Sequence, residues 1–142
     1  MCCARAGVHN PPIIAMANFE LSVLAGVFVV CRFAATAPVP PWAFANTGFV
    51  SITRTDDELS IICHEDQAPD STAVRWRCLK VHGPFSFNAI GVLSELTRVL
   101  AEEGISLLAV STHDTDYLFV QVKDLAEAVR ALRRHRHTVH VP

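Results

Sequence analysis

Apolar positions recur in two rhythms along this chain. Trp76 to Val81 (WRCLKV) is a short apolar-rich run that ends at Gly83-Pro84, which predicts a strand. From Phe87 to Glu103 the rhythm changes. Ala89, Ile90, Leu93, Leu96, Val99 and Leu100 fall three and four residues apart, the stripe of an amphipathic helix. Gly104 stands where a left-handed residue would end that helix. Ile105 to Val110 and Tyr117 to Val122 predict two further strands. Asp124, with Glu127 three residues on, predicts a capping box, and Leu125, Ala128, Val129 and Leu132 share one face behind it. Arg133 and Arg134 suit the negative end of that helix. Thr138 to Val141 closes the series as a strand. The order is β-α-β-β-α-β, the split-βαβ or ferredoxin-like arrangement, so the fold class is α+β.

The first half repeats this pattern in reduced form. Leu21 to Leu24 and Val27 to Phe33 predict strands broken at Gly26, and Gly48 to Thr53 and Glu58 to Cys63 a hairpin. Where the second unit has its long helix, the first has PVPPWAF. Three prolines in four positions cannot continue a helix, so a short turn led by Trp42 must cover the sheet. Shifted by 59 positions, the hairpin ITRTDDELSI overlays STHDTDYLFV, with Thr53 on Thr112, Asp57 on Asp116 and Leu59 on Leu118. The expected organisation is an N-terminal extension over 1–18 without stable order, a reduced first unit over 19–66, a linker over 67–74 and a complete second unit over 75–142.

Composition narrows the function. The chain of 142 residues is 51% hydrophobic and 18% charged, enough apolar content for a packed core. A net charge of −2 lacks the basic excess of a nucleic-acid binder; only the stretch from Arg130 to Arg136 is basic. The longest apolar run, Leu21 to Cys31, falls short of the ~20 residues that span a bilayer. No nucleic-acid or membrane partner is therefore expected. Cys31, Cys63 and Cys78 lie in apolar runs without CxxC spacing, which reads as reduced thiols of a cytoplasmic protein. His135, His137 and His140 have no local Cys or carboxylate, so they read as a solvated basic tail and no metal is expected. A nucleophile with a partnered His is not visible, and no Arg lies in the Gly83 to Asn88 loop as a phosphatase-like loop would require. The expectation is a non-enzyme without catalytic residues or cofactors.

The TRTDDELSI hairpin, the GPFSFNAIGVLSEL loop-helix and the STHDTDY hairpin together resemble the small tandem ACT-domain proteins of bacteria and fungi, related to the CASTOR arginine sensors. The resemblance runs from about Leu21 to Val139. It implies two ferredoxin-like ACT units, the first with a shortened or missing helix, and a regulatory protein that binds a small effector, most often an amino acid. Carried over residue by residue, it assigns ligand contacts to Ile90, Gly91, Thr112, His113, Thr115 and Asp116, with Asp116 pairing an α-ammonium group. Where the sensors have bulky aromatics, this chain has His113 and Thr115, so arginine is not implied.

The residues themselves add a physical reason for such a site. Gly83-Pro84-Phe85-Ser86 leads into a helix start, whose free N–H groups can hold a carboxylate, and Ser86 or Asn88 can cap the helix or meet the ligand. Asp57 and Asp116 also suit a plainer role, capping their hairpin turns. Two units per chain, against four in the sensors, predict a homodimer, with a regulated protein partner not identified. A dimerising module without a ligand is the alternative.

Overall fold

The computed structural model describes residues 17–45, 48–68, 74–85 and 89–142. Residues 1–16 of the extension, 69–73 of the linker, and Ser86, Phe87 and Asn88 lie outside the described residues, and so do the expectations placed on them. The strands are β1 (Glu20–Val23), β2 (Phe28–Phe33), β3 (Ser51–Arg54), β4 (Leu59–His64), β5 (Trp76–Val81), β6 (Leu107–Ser111), β7 (Asp116–Gln121) and β8 (Thr138–His140). The helices are α1 (Val92–Glu102) and α2 (Leu125–Arg134).

Both helices depart from the sequence reading at their starts. α1 begins at Val92, not Phe87, because Gly91 sits at φ +95° and a left-handed residue cannot lie inside an α-helix. Ile90 therefore leaves the apolar stripe and is 40% exposed. The Asp124 side chain makes no capping bond, since a 3-10 turn over Val122–Asp124 runs straight into α2 and Asp124 itself has helical dihedrals. Glu127 instead pairs with Arg130 and Arg134 on its own helix. The ends agree better with expectation. Gly104, at φ +69°, closes α1 in a Schellman motif, with Ile105 N–H on Leu100 O and Gly104 N–H on Ala101 O. α2 closes the same way, but Arg136 takes the left-handed position at φ 68°.

One continuous path of pairing runs β3-β4-β2-β5-β1-β8, and β7 joins the other edge of β5 with β6 outside it. β1 and β2 share one edge of β5, bent at Gly26: Val23 pairs with Leu79, and Phe28 with Trp76. β1 thus inserts between β5 and β8, so the first described strand completes the sheet of the C-terminal half.

Alternation along the strands sorts the side chains into three layers. Leu21, Leu79, Val81, Leu118 and Val120 meet Leu96, Val99, Leu100 and Leu132 of the helices. On the opposite face Phe28, Trp76, Cys78 and Phe119 are buried, and Phe49 closes over them with ring centroids 4.8 Å from Tyr117 and 5.3 Å from Phe119. The β2–β4–β3 half thus folds back over the face of β5, β7 and β6. Its outer side packs Val29, Leu59, Ile61 and Cys63 under Ala43 of a short 3-10 helix, Pro41–Phe44. That turn is the cover expected of PVPPWAF, with Trp42 against Phe33 at 6.3 Å.

The hairpins overlay at a different offset from the one the identities suggest. Arg54 pairs with Leu59, and Ser111 with Asp116, a shift of 57 rather than 59. At that offset Thr55 falls on Thr112, and these two threonines do equivalent work. Thr55 N–H donates to Glu58 O and Thr112 N–H to Thr115 O, closing two-residue turns. The Thr55 hydroxyl accepts from Asp57 N–H and Glu58 N–H, and the Thr112 hydroxyl donates to Thr115 O at 3.0 Å. Threonine, not Asp57 or Asp116, fixes the turn in each hairpin.

Candidate functional site

Antiparallel register decides what the second hairpin can meet. β5 ends at Val81 where β7 begins, with Lys80 opposite Tyr117, so the chain leaving β5 passes the 112–115 turn. Phe85 N–H donates to Asp114 O at 2.9 Å. The buried Thr115 hydroxyl donates to Val81 O at 2.6 Å, tying the turn to the end of β5. Gly83 lies so close that a Cβ there would stand 2.7 Å from Asp114 O and 3.2 Å from Thr115 Cβ. The loop and the hairpin, which the sequence alone did not require to share an edge, are in contact.

A cleft of about 240 Å³ lies at this junction. Phe85 and Ala89 line it from the loop, and residues Ser111 to Asp116 from the hairpin. Asp116 is half-buried and accepts from the Ser111 hydroxyl at 2.5 Å. His113 and Asp114 are exposed and pair at 2.8 Å through Nδ1 and Oδ1. A second cleft of about 320 Å³ lies on the other side of the same turn, between Lys80, Gly83, Pro84 and Tyr117. The first cleft falls just below the ~300–1,000 Å³ usual for small-molecule sites and the second at its lower end, sizes suited to a compact ligand.

Of the residues assigned by resemblance, Thr112, His113, Thr115 and Asp116 line the first cleft. Ile90 and Gly91 follow Ala89 in the chain and do not line it; Gly91 sets where α1 begins. Thr115 contributes its position, because its hydroxyl is spent on Val81 O. Phe85, Ser111 and Asp114, named in sequence only as parts of the loop and the hairpin and given no contact of their own, also line the cleft, and Gly83 borders it. Gly83 reads in sequence as the end of a strand, and only the approach of Asp114 shows why a side chain is excluded. Among the described residues no three His, Cys, Asp or Glu side chains are grouped to hold a metal. The His135–His140 tract is dispersed: His137 is buried, and His140 pairs with Glu20 at 2.5 Å.

Two family models match separate stretches of the chain. Residues 71–134 match the ACT domain model, and residues 26–71 match the model of an N-terminal domain from a second family. Protein Atu0741 from Agobacterium tumefaciens has a crystal structure that is 36% identical, covers 89% of this chain and 95% of its own, and superposes with a TM-score of 0.80. The chain is an ACT-domain protein of the same family as Atu0741. More distant solved structures extend the comparison. A Vibrio cholerae protein of unknown function, VC0802, described as a possible transport protein, is 18% identical over 86% of this chain and 93% of its own, with a TM-score of 0.68. Aspartokinase alpha and beta subunits are 14% identical over 84% of this chain and 98% of the matched chain, with a TM-score of 0.55. At those identities the likeness is one of fold. No curated protein matches the sequence. No described helix of this ACT-domain protein is long and apolar enough to cross a membrane.

Proposed function

We propose that this ACT-domain protein is a non-catalytic regulatory sensor that binds an amino acid at the cleft between Phe85 and Ala89 on one side and the 111–116 hairpin on the other. The observation that carries the reading is the contact of loop and hairpin around that cleft, closed by Phe85 N–H on Asp114 O and by Thr115 on Val81 O. The Asp116 carboxylate, half-buried at the cleft wall, receives the α-ammonium group. The ligand carboxylate faces the loop that leads into α1. The ACT-domain match and the fold shared with aspartokinase support regulation by an amino acid. In this reading the chain holds two ACT units, the first without a full helix, and acts in the cytoplasm with Cys31, Cys63 and Cys78 as free thiols. Two chains form a homodimer that supplies four units.

Thermal denaturation against a panel of amino acids tests this. A true effector at 100 times its Kd adds about 2.7 kcal/mol to unfolding, and the gain disappears in Asp116→Asn. If no amino acid at millimolar concentration moves the melting point, the proposal fails and a ligand-free dimerising module takes its place. Light scattering that shows only monomer at micromolar concentration sinks the dimer.

A further inference from the structure

The TRTDDEL hairpin has no part in the amino-acid cleft, yet it is held in place by a dedicated set of contacts. Arg32 Nε lies 2.9 Å from Glu58 Oε2, and its Nη2 donates to Asp57 O at 3.2 Å. Arg54 reaches across to the carbonyls of Ala35 and Ala37. Together with the Thr55 turn these bonds fix the direction of the Glu58 carboxylate. Glu58 also lines a second cavity.

That cavity, of about 360 Å³, lies in the seam where the β2–β4–β3 half folds over β6. Its floor is aliphatic: Val30, Ile62, Leu108 and Val110. Its other wall is polar, made by the hydroxyls of Ser51, Thr53 and Ser60 with Glu58 at the end. β6 pairs only with β7 among the described strands, so its outer edge borders the seam. The Thr112–Thr115 pair is hydrogen-bonded, and alternation along an antiparallel ladder turns the N–H and C=O of Ala109 away from β7. Ala109 lines the cavity. Glu58 is the single charged residue on its wall. Part of the Glu58 charge is spent on Arg32, which leaves Oε1 and three hydroxyls for a ligand that donates hydrogen bonds.

We propose that this seam is a second small-molecule site, separate from the amino-acid cleft, that takes a primary amine with a short branched aliphatic body. The body lies on Val30, Ile62, Leu108 and Val110, and the ammonium group meets Glu58, the Ser60 hydroxyl and the Ala109 carbonyl. A carboxylate of the same shape binds more weakly, because Arg32 is already paired with Glu58 Oε2 outside the lining and the cavity presents it only the negative Oε1 side of Glu58. A ligand here touches both the β2–β4–β3 half and β6, and so joins the two halves of the chain.

The test uses 3-methylbutylamine and its carboxylate counterpart isovalerate as probes in amide NMR titrations of the full chain. The amine shifts the amides of Ser51, Thr53, Ser60 and Ala109 at millimolar concentration, and isovalerate shifts them less. Glu58→Gln keeps the shape and can still accept from Arg32; it weakens amine binding at least tenfold. Ser60→Leu fills the seam and abolishes binding, while Asp116→Asn leaves it unchanged. Equal binding of both probes, binding unaffected by Glu58→Gln, or no shift with the amine would each overturn the proposal. Because Asp116→Asn reports on the other cleft, failure here is distinguishable from failure of the amino-acid site.

Discussion

Gly83 is the position where a single methyl group tests the architecture of the amino-acid cleft. A Cβ added there would lie 2.7 Å from Asp114 O, against an ordinary contact of 3.4 Å or more. The neighbour is main chain, so it cannot rotate away. Either the 112–115 turn or the loop must move by roughly 0.7 Å. Overpacking of this kind costs about 1–3 kcal/mol. The same movement stretches the 2.9 Å bond from Phe85 N–H to Asp114 O, a net loss of about 0.5–1.5 kcal/mol. Gly83→Ala is therefore expected to lose about 2–4 kcal/mol, a large share of the ~5–15 kcal/mol typical of a domain. Urea melts followed by tryptophan fluorescence give the stability, and hydrogen exchange at Phe85 reports the bond. Gly48→Ala is the control, since nothing lies within 4 Å of a Cβ there; it should stay within about 0.5 kcal/mol of wild type. If Gly83→Ala is as stable as that control and the Phe85 amide keeps its protection, the close approach of loop and hairpin is not what holds the cleft.

Other predictions address the rest of the fold. The His137 ring is buried; its Nδ1 accepts from Phe19 N–H at 3.1 Å, and its Nε2 lies 3.8 Å from Glu95 Oε1 without a hydrogen bond. Burial holds its pKa below the ordinary 6.5, with Glu95 opposing that shift and His135 and Arg98 adding to it. A depressed histidine pKa means the unfolded chain takes up the proton first, so stability is full above about pH 6.5 and falls as pH drops toward the folded pKa. His137→Gln should show a smaller loss between pH 7.5 and pH 5 in urea melts; an equal loss would refute the assignment. Leu132→Ala, at a fully buried position between α2 and the sheet, should cost about 2–5 kcal/mol by the same melts. Arg136→Gly relieves a left-handed arginine at the end of α2 and should raise stability by about 0.5–1 kcal/mol after the entropy of glycine is subtracted. Burial pushes the Cys63 and Cys78 thiols up to about 12, so native protein at pH 8 should resist alkylation at both, as peptide mapping would show.

Local chemistry settled a good deal of this protein before any tertiary contact was known. Alternating and helical spacing placed every strand and both helices, because burying one face of each element is a demand written into short stretches of chain. Gly104 announced the end of α1, and the prolines of PVPPWAF ruled out a helix in the first half. What escaped were features set by partners distant in sequence. The start of α1 depends on the conformation of Gly91, which the apolar stripe through Ala89 and Ile90 conceals. Residue identities put the hairpin overlay at 59, whereas hydrogen-bond register puts it at 57 and gives the turns to Thr55 and Thr112. β1 looked like part of the first half until pairing with β5 and β8 placed it among the strands of the second. The two clefts lie at the far end of this scale. Thr112, His113, Thr115 and Asp116 were legible as a polar hairpin, but the role of Gly83 exists only because antiparallel β5 and β7 bring it against Asp114. The seam between β3 and β6 has no sequence signature at all, since its walls are ordinary strand residues until one half of the sheet folds over the other.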